Sequence, residues 1–431
     1  MDVIETVPET SQSKSLAIGQ EWLCQGDAKM NTGGKGNRNR MIGLIVLLGL
    51  AGPAATRAAE IKFETHRFGR FRGEACGVAD FNNDGRLDII AGSFWYEAPD
   101  WKPRQFRFLE GMLDPQGNTH TVDSNGKGYY DDFTNIPLDI DKDGLTDVVT
   151  CSWFSKRFDW YRNTGVRGVT WRMTIRDEGV NFESGDLCDI DGDGKELEIL
   201  PHCQDTRWYE IGKKNLVVHS VSSRELNYGG GVGDINGDGR PDIIRPDAWY
   251  EASADPCNGI WTEHPLAIGN IEQGKSEHTP QILVYDVDND GLNDLVTSSA
   301  HQYGIFWYRQ VRQDPNIAFE QNLIDKSWSQ AHSLALADLD NDGDLDLVAG
   351  KRFYAHNGSD PGEEDPLGVY WYELDRRQGV KWTRHTISYN EGIGSALSIP
   401  VVDIEGDGDL DIVVTGKWGG PVLFENKLKS R

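Results

Sequence analysis

The stretch Asp338-Leu339-Asp340-Asn341-Asp342-Gly343-Asp344-Leu345-Asp346 decides the fold, because an apolar run stands on either side of it and the whole arrangement recurs. Ahead of it lies Ser333-Leu-Ala-Leu-Ala337, and Leu345-Asp-Leu-Val-Ala-Gly350 follows. Further copies begin at Asp80 (with Asn82, Asp84 and Asp88), Asp139 (Asp141, Asp143, Asp147), Asp189 (Asp191, Asp193), Asp234 (Asn236, Asp238, Asp242), Asp286 (Asp288, Asp290, Asp294) and Asp403 (Glu405, Asp407, Asp411). A period of roughly 45 to 65 residues is the mark of propellers and solenoids.

The loop chemistry asks for Ca2+. Oxygen ligands at positions one, three, five and nine converge on a hard cation, and a glycine at position six permits the turn that gathers them. No bidentate Glu follows as in an EF-hand, and the alternating β-branched flanks read as strands, not helices. The plain alternative is a set of polar hairpins that hold no metal. In the third copy Leu197 stands at position nine and Glu198 comes one residue late, so that site is expected to be weaker or absent.

Each acidic loop joins a small-residue strand to an apolar one, and a third strand carries an aromatic signature. It reads Trp95-Tyr96-Glu97, Trp160-Tyr161-Arg162, Trp208-Tyr209-Glu210, Trp249-Tyr250-Glu251, Trp307-Tyr308-Arg309, Trp371-Tyr372-Glu373 and, last, Leu423-Phe424-Glu425. A fourth strand shows as Trp261-Thr-Glu-His264 and Trp382-Thr-Arg-His385. Four antiparallel strands per unit make a propeller blade, so the expected fold is all-β, a seven-bladed β-propeller. The final unit lacks a fourth strand, and Phe63-Glu-Thr-His66 ahead of the first unit supplies the matching pattern, closing the ring and pairing its edges. A solenoid of the same repeats is the alternative.

The formal net charge of −26 weighs against nucleic acid as a partner, since that binding rests on cationic side chains. An apolar run at 42–51 follows Lys35, Arg38 and Arg40 and precedes small residues up to Ala59, the layout of a secretory signal too short for a comfortable membrane span. The expected organisation is a leader at 1–29 that is untranslated or disordered, a signal peptide at 30–58, and one propeller domain over 59–431. That makes the mature protein secreted or periplasmic with no membrane span; an uncleaved signal anchor is the alternative. Cys76, Cys151, Cys188, Cys203 and Cys257 remain after cleavage, an odd set without a disulfide or zinc-ribbon spacing.

Propeller topology puts the acidic loops on one face and the two-to-three turns and blade connections on the other. Both long insertions, Gly111 to Asp132 and Tyr354 to Gly368, fall on that second face, where loops beyond the repeat minimum carry function. His66, His219, His264 and His385 occupy fourth strands and read as structural. His278 and His332 precede first strands at the mouth of the central channel, and His202 and His301 end second strands there. Glu74, Asp131, Asp132, Glu183 and Tyr228 join them at first-strand beginnings, with Arg245, Lys351, Arg352, Lys417 and Trp418 nearby. Histidines and carboxylates around one opening can hold a transition metal such as Zn2+ or serve as acids and bases, or they simply line a solvated channel. Ser-His-Asp, phosphate-loop and dinucleotide signatures are absent from the sequence.

These units resemble the FG-GAP or VCBS repeats of integrin-alpha-like propellers over about residues 62–427. The chain also looks like the propeller portion of aldos-2-ulose dehydratases, through its blade pattern and through His278, His301 and His332. That resemblance implies a carbon–oxygen lyase dehydrating a keto-sugar at a metal site, with Glu183 beside the histidines. The fungal enzymes continue beyond the propeller into further domains, and the resemblance covers only their propeller portion. The competing reading is a non-catalytic module that binds a glycan or a protein ligand on the same face, with Trp153 and Trp418 stacking on sugar rings.

Overall fold

The computed structural model describes residues 61–428 except 115, 196, 213–215, 270–275 and 314–315. The expected leader and signal segment therefore lie outside the described residues, among which no helix is long and apolar enough to cross a membrane.

The described residues form seven antiparallel sheets of four strands each and a two-stranded ribbon, Met112–Leu113 with Thr119–His120. Blade 1 consists of Cys76–Ala79, Asp88–Ala91, Phe94–Glu97 and Lys102–Gln105. The same order repeats in blade 2 (Thr134–Leu138 to Arg172–Glu178), blade 3 (Ser184–Cys188 to Leu216–Ser222), blade 4 (Gly231–Gly233 to Thr262–Pro265), blade 5 (Leu283–Tyr285 to Asn316–Ser329) and blade 6 (Ala331–Ala337 to Lys381–Tyr389). Blade 7 takes Val401–Val402, Asp411–Val414 and Gly420–Asn426 from the C-terminal end and Phe63–Phe71 from the N-terminal end. Thr65 pairs with Phe424 and His66 with Leu423, so the ring closes as the fourth-strand pattern predicts.

Side-chain alternation on the third strand explains the Trp-Tyr signature. Tyr250 packs into the cluster that blade 4 shares with blade 3, while its neighbour Trp249 packs toward blade 5. Small residues on the first strands let blades approach the axis: a Cβ on Gly231 would meet Ile282 O at 1.8 Å, and one on Gly77 would meet Asn135 O at 2.8 Å. The fourth-strand histidines are structural. His219, His264 and His385 stack on Trp208, Trp249 and Trp371 with centroids 4.0, 4.0 and 4.3 Å apart. Each also bonds the third-strand glutamate of its own blade, Glu210, Glu251 or Glu373, at 2.8–2.9 Å, and His66 bonds Glu425 at 2.6 Å.

The ninth-position carboxylate anchors the hairpin as well as facing the loop. Asp88 Oδ2 accepts from Phe81 N at 3.2 Å and its Oδ1 from Ala98 N at 2.8 Å. In blade 3 the late Glu198 does the first of these jobs, accepting from Ile190 N at 2.9 Å, because its longer side chain absorbs the shifted spacing.

Candidate metal centre at the channel mouth

Three blades bring a compact donor set together. Glu183 stands just before the first strand of blade 3, His301 follows the second strand of blade 5, and His332 lies in the first strand of blade 6. One ligand atom from each falls within 4.8 Å of the others. His332 is only 2% exposed, and neither of its ring nitrogens makes a hydrogen bond of acceptable angle among the described residues, although Nε2 sits 3.2 Å from Glu183 Oε1. A buried polar ring without partners is costly unless something else satisfies it.

The other two donors are oriented from behind. His301 Nδ1 lies 3.1 Å from Asp360 Oδ2, so the imidazole donates there and leaves Nε2 bare, the arrangement by which carboxylates fix metal-binding histidines. Asp360 comes from the blade 6 insertion and also holds His356 Nδ1 at 3.0 Å, and the His356 ring stacks on His301 at 4.3 Å. Arg352 Nη1 donates to Glu183 Oε1 at 2.7 Å, and its Nε donates to Glu74 Oε1 at 2.8 Å.

The electrostatics follow from burial and these pairs. Burial alone would raise the Glu183 carboxyl, but the Arg352 guanidinium bonded to it holds it well below the usual carboxylate range. Burial pushes His332 down to about 4, so the ring is neutral at pH 7 and its lone pair is available. Asp360 is likewise held low against burial by its bonds from His301 and His356. Imidazole nitrogens together with an ionised carboxylate suit a borderline cation such as Zn2+, so the donor set fits.

The structure sorts the other residues expected at this face. His278 accepts from the Tyr228 backbone N–H, with its ring 6.0 Å from His301 and outside the tight donor set. Tyr228 packs between His278 and Trp153, at 5.3 and 4.9 Å. Arg245 corrects its expected role: it is fully buried and donates to the carbonyls of Gly229 at 2.7 Å, Asp205 at 2.6 Å and Asn227 at 3.1 Å, so it clamps backbone and presents no binding surface. Asp132 is also buried, paired with Arg107 at 2.6 Å. Asp131 accepts from Phe154 N at 3.2 Å, and Trp418 has the Arg67 guanidinium 5.4 Å from its ring. His202 is buried between Ser184 Oγ at 2.8 Å and Asp186 at 3.0 Å, a tie between the first two strands of blade 3.

Sequence reading missed Asp360 and His356. The signal was present in the length of the Tyr354–Gly368 insertion, but no repeat pattern singles out individual residues there. Tyr354, His356 and Asn357 adopt left-handed backbone, at φ 54, 49 and 55°, which is uncommon outside glycine and worth about 1 kcal/mol or more each. The insertions meet: Gly128 N donates to Asn357 Oδ1 at 2.8 Å.

In the acidic loops, backbone amides bond the first carboxylate. Asp84 N and Gly85 N donate to the two oxygens of Asp80 at 3.1 and 2.8 Å, and Asp342 N and Gly343 N do the same for Asp338, both at 3.0 Å. Burial pushes Asp88, Asp147 and Asp242 up to about 7, so keeping each set ionised takes a compensating positive charge. In blade 2 Arg162 supplies part of it, bonding Asp141 and Asp143 at 2.5 Å, and Arg309 does so in blade 5 with Asp288 and Asp290 at 2.5 and 2.8 Å. Among the described residues, Asp141 Oδ1 and Asp288 Oδ1 are buried with no hydrogen-bond partner, as oxygens aimed at a cation would be. The loops fit a hard divalent ion.

Residues 286–349, which span the loops of blades 5 and 6, match the FG-GAP-like repeat. No curated protein matches the sequence. Among solved structures the chain is similar to an Agrocybe aegerita lectin that recognises non-reducing terminal N-acetylglucosamine, at 15% identity and TM-score 0.44, over 84% of this chain and 87% of that one. It is also similar to the V. cholerae biofilm matrix protein Bap1, at 13% identity and TM-score 0.32, over 80% and 78% of the two chains. Likeness at these levels carries no argument about function. The closed ring of four-stranded sheets makes the chain a seven-bladed β-propeller, and its residues 286–349 match the FG-GAP-like repeat.

Proposed function

We propose that this is an exported, calcium-stabilised propeller that acts on carbohydrate, with Glu183, His301 and His332 holding one transition-metal ion at the channel mouth for the dehydration of a keto-sugar. The observation that carries the reading is the buried His332, whose ring nitrogens make no well-angled hydrogen bond among the described residues, beside an ionised Glu183 and an Asp360-oriented His301. Bound there, the ion would supply Lewis acidity to a sugar carbonyl.

The chain's own groups do the rest. Arg352 and Asp360 fix Glu183 and His301 in place, and a preorganised set spends little on rearrangement. His356 turns its Nδ1 to Asp360 and keeps Nε2 bare at an exposed position, which suits acceptance of the proton adjacent to the carbonyl. Loss of that proton and of a β-hydroxyl leaves an enone.

The test is a panel of keto-sugars, anhydrofructose included, assayed for ultraviolet absorbance with zinc-loaded protein. Turnover lost in the His332→Ala variant supports the lyase. Binding of the sugars without enone formation, in protein carrying its metal, favours the glycan-binding alternative.

A further inference from the structure

We infer that His278 is a hydrogen-bond donor to the bound sugar through Nε2–H and is not a ligand of the metal. The inference rests on the metal-site reading above and deepens it by assigning the third histidine of the mouth a different task. The Tyr228 backbone N–H donates to His278 Nδ1 at 3.0 Å. That nitrogen must therefore present its lone pair, and in a neutral imidazole the single ring proton then sits on Nε2.

Neither alternative state of the ring fits. An imidazolium would set Nδ1–H against the Tyr228 N–H. A metal on Nε2 would require that nitrogen to lose its only proton. His301 has the opposite tautomer, with Nδ1 turned to Asp360, and neither nitrogen of His332 makes a well-angled hydrogen bond among the described residues. One hydrogen bond thus separates the ring that donates from the two that can ligate.

The position suits a donor. Among the described residues none accepts a hydrogen bond from His278 Nε2, and the centroid of the ring stands 6.0 Å from that of His301. Tyr228 and Trp153 continue the wall beyond it, with centroids 4.9 Å apart, an aromatic surface of the kind that sugar rings lie against. A neutral N–H at this point recognises a sugar oxygen adjacent to the one facing the metal, polarising it without giving up a proton. It selects for ligands with an acceptor there.

The experiment uses the full protein labelled with 15N-histidine, with His278→Gln identifying the resonance. The expected spectrum gives His278 as the Nε2–H tautomer at pH 7, and addition of 113Cd2+ produces one-bond coupling to His301 and His332 only. His278→Ala should keep one equivalent of zinc with affinity within about threefold, and should raise KM for anhydrofructose roughly tenfold, the weight of one neutral hydrogen bond. A His278 resonance in the Nδ1–H form, cadmium coupling at its Nε2, or loss of zinc from His278→Ala would each overturn the assignment. Failure of the underlying metal reading looks different: wild-type protein takes up no zinc or cadmium, whatever tautomer His278 shows.

Discussion

Arg352 bridges two carboxylates from different blades, with Nη1 2.7 Å from Glu183 Oε1 and Nε 2.8 Å from Glu74 Oε1. Its own blade is the sixth, so one guanidinium ties blades 1, 3 and 6 across the channel mouth. Truncation would strand two buried carboxylates, a loss of roughly 3–5 kcal/mol when one partner of a buried pair is removed. Arg352→Met should therefore lower stability by about that amount in denaturant unfolding, far more than loss of an exposed pair such as Arg377–Asp375. Equal effects for the two would show that the bridge is not a staple.

Calcium should stabilise the native loops by mass action, because unfolded chain gathers no such donor set. A chelator should lower the melting temperature and added calcium restore it. Asp342→Ala should weaken one loop while the other blades stay folded, as nearest-neighbour repeats allow. An unchanged midpoint in protein shown to be free of calcium would contradict this.

Removal of residues 60–68 takes away most of the strand that pairs Thr65 with Phe424 and His66 with Leu423. The exposed edge of Gly420–Asn426 should then cause aggregation or a lower melting point. A monomer that melts at the wild-type temperature would refute closure by the N-terminal strand.

Closure was legible in the sequence because Phe63-Glu-Thr-His66 repeats a pattern whose partners, the Trp and Glu of the third strand, are themselves repeated. The acidic loops were legible for the same reason. The mouth was only partly so. His301, His332 and Glu183 could be placed there from topology, but Arg245 read as a surface cation, since nothing in the sequence reveals that backbone carbonyls surround it. Asp360 escaped notice because it belongs to an insertion outside the repeat, where position carries no message about contacts.

Lys351 gives a pH test that does not depend on metal binding. Burial pushes its ammonium down to about 8, with Nζ donating to Ser329 Oγ at 2.9 Å. Between pH 8 and the ordinary lysine value of about 10.4 the unfolded chain binds more protons than the native protein, so this group makes stability rise with pH across that window. The stability difference between wild type and Lys351→Met should grow in favour of wild type by roughly 1–3 kcal/mol from pH 8 to 10. A flat difference would mean that Lys351 titrates normally.

Asp360→Asn keeps the size of the side chain and removes the charge that orients His301. Loss of such an outer carboxylate typically costs 10–100-fold in metal affinity, and that is the expected drop in competitive zinc titration, with calcium-dependent melting unchanged. Unaltered zinc affinity would remove Asp360 from the site.

The most direct measurement is metal content by elemental analysis of protein purified in zinc-supplemented buffer, with calcium counted separately, followed by anomalous scattering from crystals. One equivalent of transition metal between Glu183, His301 and His332 is expected, lost in His332→Ala while the calcium count is preserved. A wild-type protein with calcium alone and no anomalous peak at the channel mouth would contradict the metal centre.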